Sequence, residues 1–169
     1  MKNRVVITGI GAITSAGNDA EAFWKACIEG RSGIKPITAF DTTNYPSKLG
    51  GMVGNFSPEK FIDPMKIRRM DKVSQLAIVS AIQAIKDSGL LITPENSERA
   101  GIVIGTAYGG TATTEEFYVG LLKNGPSATN PMLFPITVPN TAASQISFEL
   151  KIKGPNSTFI QKEISAEAA

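Results

Sequence analysis

The chain has 169 residues, of which 42% are hydrophobic and 19% are charged, so it fits one globular domain or part of a larger protein. Seventeen lysines and arginines against fifteen aspartates and glutamates give a net charge of +2, which is too weak to argue for nucleic-acid binding. There is no histidine, and Cys27 is the only cysteine. This composition excludes Ser-His-Asp and Cys-His catalysis, disulfides and zinc clusters from anything that the chain does alone.

The N-terminal sequence MKNRVVITGIG has a short basic start followed by a brief apolar stretch. Because Thr8 and Gly9 interrupt that stretch, it is too short for the apolar core of a secretory signal. No purely apolar run is long enough to cross a membrane. With one free thiol and no signal, we expect a cytoplasmic protein.

Hydrophobic patterning predicts strands alternating with helices. The β-branched run at 5–11 predicts a buried strand, and a helix capped by Asn18 and ended by Gly30 is expected next. Residues 31–69 have no sustained period and predict a long loop. The later predicted elements are a helix between Asp71 and Gly89 that is buried on two sides, a strand at 101–105, helices at 113–123 and 141–150, and a strand at 157–160. The alternation is typical of an α/β fold with a largely parallel sheet.

Two glycine patterns suggest nucleotide binding but lack the residues that it requires. Gly9 and Gly11 follow a predicted strand, but Thr14 stands where a dinucleotide fingerprint needs its third glycine. The segment 105–110 has the glycine spacing of a phosphate loop, but Thr-Ala follows it in place of Lys and Ser/Thr. We therefore expect these glycines to let strand ends turn tightly against helices. We expect no cofactor and no metal.

Two further sets of reactive side chains have simple structural interpretations. Cys27 falls on the apolar face of the first predicted helix beside Phe23, so we expect a buried and inert thiol. Glu115 and Glu116 are adjacent, and a helix directs adjacent side chains differently. A solvated face is therefore favoured over an acid/base pair.

A cluster of positive charge precedes the long predicted helix. Its members are Lys66, Arg68, Arg69 and Lys72. Such a cluster is either an ordinary solvated surface or a docking patch for an acidic partner, in which case the charges would mainly steer association.

Four segments occur in an order and spacing that carry a family resemblance. They are VVITGIGAITSAGND at 5–19, RRMDKVSQLAIVSAIQAIKDSGL at 68–90, GIVIGTAYGG at 101–110 and NPMLFPITVPNTAASQISFELKIKGPN at 130–156. Together they resemble the N-terminal half of a β-ketoacyl synthase, the condensing enzyme of fatty-acid and polyketide synthesis. The resemblance implies an α/β, thiolase-like fold with α/β/α/β/α layers that works as a dimer. Residues 1–169 would form the N-terminal domain, with the C-terminal half absent.

The resemblance also locates the nucleophile position. The family's cysteine follows a Gly-Pro-Asn sequence and lies in a Thr-Ala-Cys-x-Ser context at a strand-to-helix elbow. Counting on from 154–156 places Gln161, Lys162 and Glu163 at Thr-Ala-Cys, with Ser165 at the small residue two positions later. A carboxylate cannot replace the thiolate, because it would form an unstable mixed anhydride. The family's histidines and lysine belong to the C-terminal half, so this chain alone is expected to be inactive in condensation.

Relatives without the cysteine suggest a role. Chain-length factors of type II polyketide synthases resemble ketosynthases, commonly carry Gln at that position, and pair with an active ketosynthase. The leading hypothesis is therefore a non-condensing subunit of this type, paired with a ketosynthase or with a separate C-terminal half. The resemblance further implies that an acyl carrier protein docks at Lys66, Arg68 and Arg69. It implies an acyl pocket or dimer interface formed by Tyr108, Phe117, Phe134, Ser157, Thr158, Phe159, Ile160 and Gln161.

Two alternatives remain open at this point. One is a split ketosynthase-like enzyme that decarboxylates malonyl thioesters once assembled, with Glu163 acting beside residues of another chain. The other is a module that only binds the carrier protein. In every case we expect a protein partner, because half of the fold would leave large apolar faces exposed.

Overall fold

The computed structural model of the protein describes residues 4–169, so the first three residues of the basic N-terminus lie outside the described part. The chain forms two compact units. Unit 1 contains the residues up to Lys60 together with Val79–Leu90, and unit 2 contains Phe61–Ile78 together with Leu91–Ala169. The helices and strands are α1 (Ala20–Ile28), β1 (Ile34–Pro36), β2 (Leu49–Gly51), α2 (Pro64–Ile67), α3 (Lys72–Ser88), β3 (Ile102–Gly105), α4 (Thr111–Asn124), α5 (Phe134–Thr137), α6 (Thr141–Leu150), β4 (Asn156–Phe159) and α7 (Ser165–Ala168), with 3-10 turns at Pro58–Lys60, Pro126–Ala128 and Lys162–Ile164.

In unit 1, α1 begins at Ala20, and its cap lies one residue later than predicted. The Asp19 carboxylate accepts a hydrogen bond from the backbone N–H of Ala22 at 2.7 Å and caps the helix. The Asn18 amide instead donates to the carbonyl of Gly54 at 2.8 Å, so the prediction of an Asn18 cap was wrong. Both residue types are good caps, and a contact distant in sequence decides between them. The predicted loop at 31–69 also needs correction, since it contains β1, β2 and α2.

The predicted strand at 5–11 is not formed. Val5 is 94% exposed, and among residues 4–169 no strand pairs with this segment. Its backbone is held by side chains instead, because the N–H of Ile10 donates to the Asp87 carboxylate at 2.9 Å. A strand needs a neighbouring strand for its backbone hydrogen bonds, whereas this segment packs against the helix α3.

The glycines of that segment permit its close approach to α3. A Cβ at Gly11 would overlap the carbonyl oxygen of Ser80, and one at Gly9 would overlap that of Ala84. These glycines pack tightly against a helix as predicted, although the strand that was expected to end at them is not formed.

The long helix α3 matches its prediction well. The Asp71 carboxylate accepts from the N–H of Ser74 at 3.0 Å, which confirms the predicted N-cap. Gly89, with φ of +68°, ends the helix as expected. Ile78 and Val79 near its centre are completely buried, as the wide apolar face predicts.

Unit 2 contains a parallel strand pair. β3 and β4 run parallel, with Ile102 opposite Asn156 and Gly105 opposite Phe159, and β4 begins one residue before its predicted start. The observed α6 has the predicted bounds, whereas α4 begins two residues before its predicted start. The buried apolar side chains of this unit are Ile62, Ile78, Ile102, Ala142, Ala143, Ile146 and Ile152. Within residues 4–169, no helix combines the length and the apolar character that crossing a membrane requires.

Candidate functional site

The candidate site lies where β4 ends and the chain turns into α7. The N–H of Thr106 donates to the carbonyl of Phe159 at 3.0 Å, which extends the ladder between β3 and β4 by one bond. Beyond Phe159 the chain passes through the 3-10 turn Lys162–Ile164 and enters α7 directly. This strand–turn–helix segment is the elbow that the sequence predicts, and we call residues 160–165 the elbow.

A buried hydroxyl fixes the elbow. The Ser165 side chain is buried; its Oγ accepts from the N–H of Gln161 at 2.9 Å and donates to the carbonyl of Lys162 at 2.6 Å. Lys162 has φ of +51°, a left-handed conformation that is uncommon for a residue with a side chain. The small residue expected at position 165 is therefore the residue whose hydrogen bonds close the turn.

The end of β3 packs directly under the elbow. A Cβ at Gly105 would overlap the carbonyl oxygen of Ser165 and lie 2.7 Å from Cα of Ala166. No larger residue fits at this position without moving the elbow. Gly105 therefore lets the end of β3 pack tightly against the start of a helix, as the sequence predicts for this set of glycines.

Glu163 is presented outward by this turn. Its side chain is exposed, and among residues 4–169 its carboxylate forms no hydrogen bond or ion pair. Ser165 bonds the backbone of the two residues that precede Glu163 and makes no hydrogen bond to the Glu163 side chain. The elbow therefore carries an accessible carboxylate and no thiol.

The structure brings together two of the four aromatic residues that were predicted for the acyl pocket or dimer interface. The ring centroids of Phe117 and Phe134 lie 5.9 Å apart, and those of Phe117 and Tyr118 lie 5.7 Å apart in an edge-to-face contact. Tyr108 is 70% exposed and makes no ring contact within the described residues. Tyr118 is not among the predicted site residues, although its position beside Phe117 in a predicted helix was a usable signal. A pocket role for these side chains stays a prediction.

The predicted dimer strand coincides with β4 and the residues that follow it. β4 pairs only with β3 among residues 4–169, so its other edge has unpaired backbone groups. Ser157, Phe159, Ile160 and Gln161 are exposed, while Thr158 is partly buried and its hydroxyl lacks a hydrogen bond within the described part. This edge is suited to accept a strand, and its assignment as a dimer interface stays a prediction.

The predicted docking patch surrounds the short helix α2. The Asp63 carboxylate caps that helix by accepting from the N–H of Met65 at 2.7 Å. Arg68 and Arg69 follow it and are exposed. Lys66 differs, because its ammonium group donates to the Glu149 carboxylate of α6 at 2.7 Å. That hydrogen bond is the main cause that raises the pKa of Lys66 above its ordinary value.

Other predicted side chains are placed as follows. Cys27 is exposed, so the prediction of a buried thiol was wrong; only Ala26 is buried in α1. The apolar face of α1 is thus left largely uncovered by the described residues. Glu115 and Glu116 are exposed, as expected for a solvated face. Residues 4–169 contain no group of three or more acidic or Cys side chains that could hold a metal ion.

Comparison with known proteins identifies the fold. Residues 2–160 match the family model described as beta-ketoacyl synthase, N-terminal domain. The ishigamide ketosynthase/chain length factor superimposes with a TM-score of 0.77 at 29% identity, covering 92% of this chain and 39% of that one. AntDE:AntF, a type II PKS acyl-carrier protein in complex with its ketosynthase, superimposes with a TM-score of 0.80 at 24% identity, covering 99% of this chain and 44% of that one, and shows the fold alone. The chain is therefore an α/β protein of the thiolase-like class, as predicted.

Curated relatives make the assignment more specific. The chain is 39% identical over 159 residues to 3-oxoacyl-[acyl-carrier-protein] synthase 2 of Synechocystis sp., and 40% identical over 157 residues to the protein of that name from Staphylococcus aureus. These alignments cover 94% and 93% of this chain but only 38% of each relative. The chain belongs to the β-ketoacyl synthase family. The family match ends at Ile160, so the equivalence of Glu163 with the nucleophile depends on counting from 154–156 and on the elbow geometry.

Proposed function

We propose that this chain is part of a non-condensing, ketosynthase-like subunit of chain-length-factor type in a type II polyketide or fatty-acid synthase. It would pair with an active ketosynthase or with a C-terminal half, and it would help to shape the acyl pocket. The observation that carries the proposal is the exposed and unpaired carboxylate of Glu163 on an otherwise well-formed elbow. The proposal places the protein in the cytoplasm, which its single free thiol favours.

The chemistry of acyl transfer supports a non-condensing role. A thiolate attacks a thioester readily and is later a good leaving group. A carboxylate that attacked the thioester would form a mixed anhydride, which water hydrolyses. The 169 residues contain no imidazole that could activate another nucleophile. The single cysteine, Cys27, lies in α1, and the elbow itself carries no thiol.

The exposed surface supports a protein partner. β4 has a free edge within the described residues, and the adjoining Ile160 is 47% exposed. Apolar side chains next to an unpaired strand edge are a favourable surface for strand addition. The similarity to a ketosynthase/chain length factor supports a ketosynthase as that partner.

The docking patch supports a second, acidic partner. Arg68 and Arg69 are exposed and form no ion pair within residues 4–169. We propose that they steer an acyl carrier protein to this face. The similar AntDE:AntF structure is described as containing an acyl-carrier protein bound to its ketosynthase.

A gain of reactivity tests the position of Glu163. In a Cys27→Ala background, Glu163→Cys is compared with Glu167→Cys, which places a thiol on α7 beyond the elbow. Each protein is purified in its native assembly, incubated with a radiolabelled acyl thioester of the carrier protein, and analysed subunit by subunit. We expect acyl label on Glu163→Cys only, and no label on the parent chain. Labelling of the parent chain, or equal labelling of both cysteine variants, would contradict the proposal.

A second candidate function is favoured by the curated relatives, which are named as synthases at 39–40% identity. In this candidate the chain is half of a split enzyme that decarboxylates malonyl thioesters. A carboxylate beside the thioester is poorly suited to this task, because it donates no hydrogen bond to an enolate unless it is protonated. Malonyl-thioester decarboxylation by the assembly separates the two candidates. Loss of turnover in Glu163→Ala, with turnover kept in Glu167→Ala, would favour the enzyme.

A further inference from the structure

The docking patch contains an ion pair of its own. Lys66 and Glu149 are 83 positions apart in the sequence, and Lys66 Nζ lies 2.7 Å from Glu149 Oε2. The Lys66 side chain is about half exposed at 53%, whereas that of Glu149 is 18% exposed. Glu149 is therefore held in place by its surroundings, and Lys66 reaches over to it. Arg68 and Arg69 have no such carboxylate within the described residues.

The ion pair borders a groove beside α6. The groove has a volume of about 330 Å³ and is lined by Lys66, Arg69, Met70, Gln145, Phe148 and Glu149. Phe148 is 80% exposed, so a large apolar side chain is accessible beside the groove. The groove thus combines an apolar side chain, two cations at its border and one carboxylate that neutralises one of them.

We propose that Glu149 competes internally for Lys66 with an acidic surface of the carrier protein, and that Phe148 contacts an apolar side chain of that surface. In the free protein, Glu149 accepts a hydrogen bond from the Lys66 ammonium group. On docking, a carboxylate of the carrier replaces Glu149 at the Lys66 ammonium group. This inference rests on the proposed docking of a carrier protein at Arg68 and Arg69.

Charge complementarity supports an acidic surface of the carrier protein as the occupant. At the border of the groove, Arg69 can bind a carboxylate of the carrier directly, and Lys66 can do so once it has separated from Glu149. Arg68 follows the same short helix, α2. The Lys66 side chain is about half exposed, so a carboxylate of the carrier can reach its ammonium group from solvent while the less exposed Glu149 stays in place. A weakly acidic protein gains little at Lys66, since it must displace a carboxylate that is already bonded. Glu149 therefore favours strongly acidic partners over weakly acidic ones.

Association kinetics test the competition. The native assembly is mixed in stopped flow with a bacterial holo-acyl carrier protein, and Glu149→Gln is compared with Glu116→Gln, a matched loss of an exposed carboxylate on α4. We expect Glu149→Gln to raise the association rate constant about 3- to 10-fold at low salt, since surface charge mainly affects this rate. The difference in association rate constant should become smaller as the salt concentration rises, because salt screens the charges. In a Lys66→Gln background, Glu149→Gln should have the same small effect as Glu116→Gln.

The outcomes separate the inference from the docking proposal. Suppose that the double variant Arg68→Glu, Arg69→Glu no longer associates, while Glu149→Gln associates at the same rate as Glu116→Gln. The inferred competition at Lys66 is then wrong, and the docking proposal stands. If the double arginine variant associates normally, the docking proposal and the inference both fail. Slower association of Glu149→Gln than of the parent also overturns the inference. Thermal unfolding of each variant verifies that it is folded under the assay conditions.

Discussion

The backbone N–H of Gln161 donates to the buried hydroxyl of Ser165 at 2.9 Å, and this contact spans the residue at the predicted nucleophile position. The shape of the elbow thus depends on residues before and after Glu163 and not on Glu163 itself. A ketosynthase-like turn can for that reason persist when its reactive residue is exchanged. Structure and reactivity are determined by different side chains at this site.

Ser165→Ala should weaken the elbow. The substitution leaves the Gln161 N–H and the Lys162 carbonyl without their partner, and an unsatisfied group of this kind costs about 1–3 kcal/mol. We expect the free energy of unfolding to fall by that amount in chemical denaturation. Ser127→Ala, at an exposed 3-10 turn, is the control and should be nearly neutral. Equal stability of the two variants would show that Ser165 does not hold the turn.

Gly105→Ala should displace the elbow. Because a Cβ there would overlap the Ser165 carbonyl oxygen, the overpacking should cost roughly 1–3 kcal/mol. The matched control is Gly120→Ala within α4, where a Cβ has no neighbour within 4 Å. Alanine at position 120 should stabilise the protein by about 0.4–1 kcal/mol. Opposite shifts of the melting temperature are the expected pattern, and a stabilised Gly105→Ala would refute the steric argument.

Gly11→Ala should loosen unit 1. A Cβ at this position would overlap the Ser80 carbonyl oxygen of α3, so the N-terminal segment would have to move away from the helix. Hydrogen exchange should then be faster at the amide of Ile10, which is bonded to Asp87. Gly54→Ala, where a Cβ has no neighbour within 4 Å, should leave that amide unchanged. Unaltered protection in Gly11→Ala would argue against tight packing at this contact.

The Lys66–Glu149 pair should respond to alkaline pH. The hydrogen bond from Glu149 raises the pKa of Lys66, so the folded state holds this proton more tightly than the unfolded state. The stabilisation is complete below the unfolded lysine value of roughly 10.4 and is lost as the pH rises through the higher folded value. An NMR titration of the Lys66 side chain should show a higher pKa in the parent protein than in Glu149→Gln, where the charged partner is gone. An equal Lys66 pKa in the two proteins would contradict the role of Glu149.

The sequence predicts the elements whose signals are local. The cap of α3 at Asp71, its end at Gly89 and the bounds of α6 were predicted correctly, because caps, breakers and helical period act within a few residues. The strands β3 and β4 were also found, since each is a short run of strand-forming residues next to glycine or proline.

Features that depend on residues distant in the sequence could not be predicted from local sequence patterns. The run at 5–11 has the composition of a strand, but strand formation needs a neighbour that the described residues do not supply. The bonding of Lys66 to Glu149 across 83 positions has no local signal. The exposure of Cys27 was mispredicted for the same reason, since an amphipathic face is buried only where something covers it.

The accessibility of Cys27 provides a simple spectroscopic and chemical handle. A maleimide dye would attach at a single point of the chain, on α1, and report on that helix alone. Any thioester found on the natural polypeptide would map by peptide sequencing to this helix. Such an adduct would thereby be recognised as incidental modification of a surface thiol, distinct from turnover.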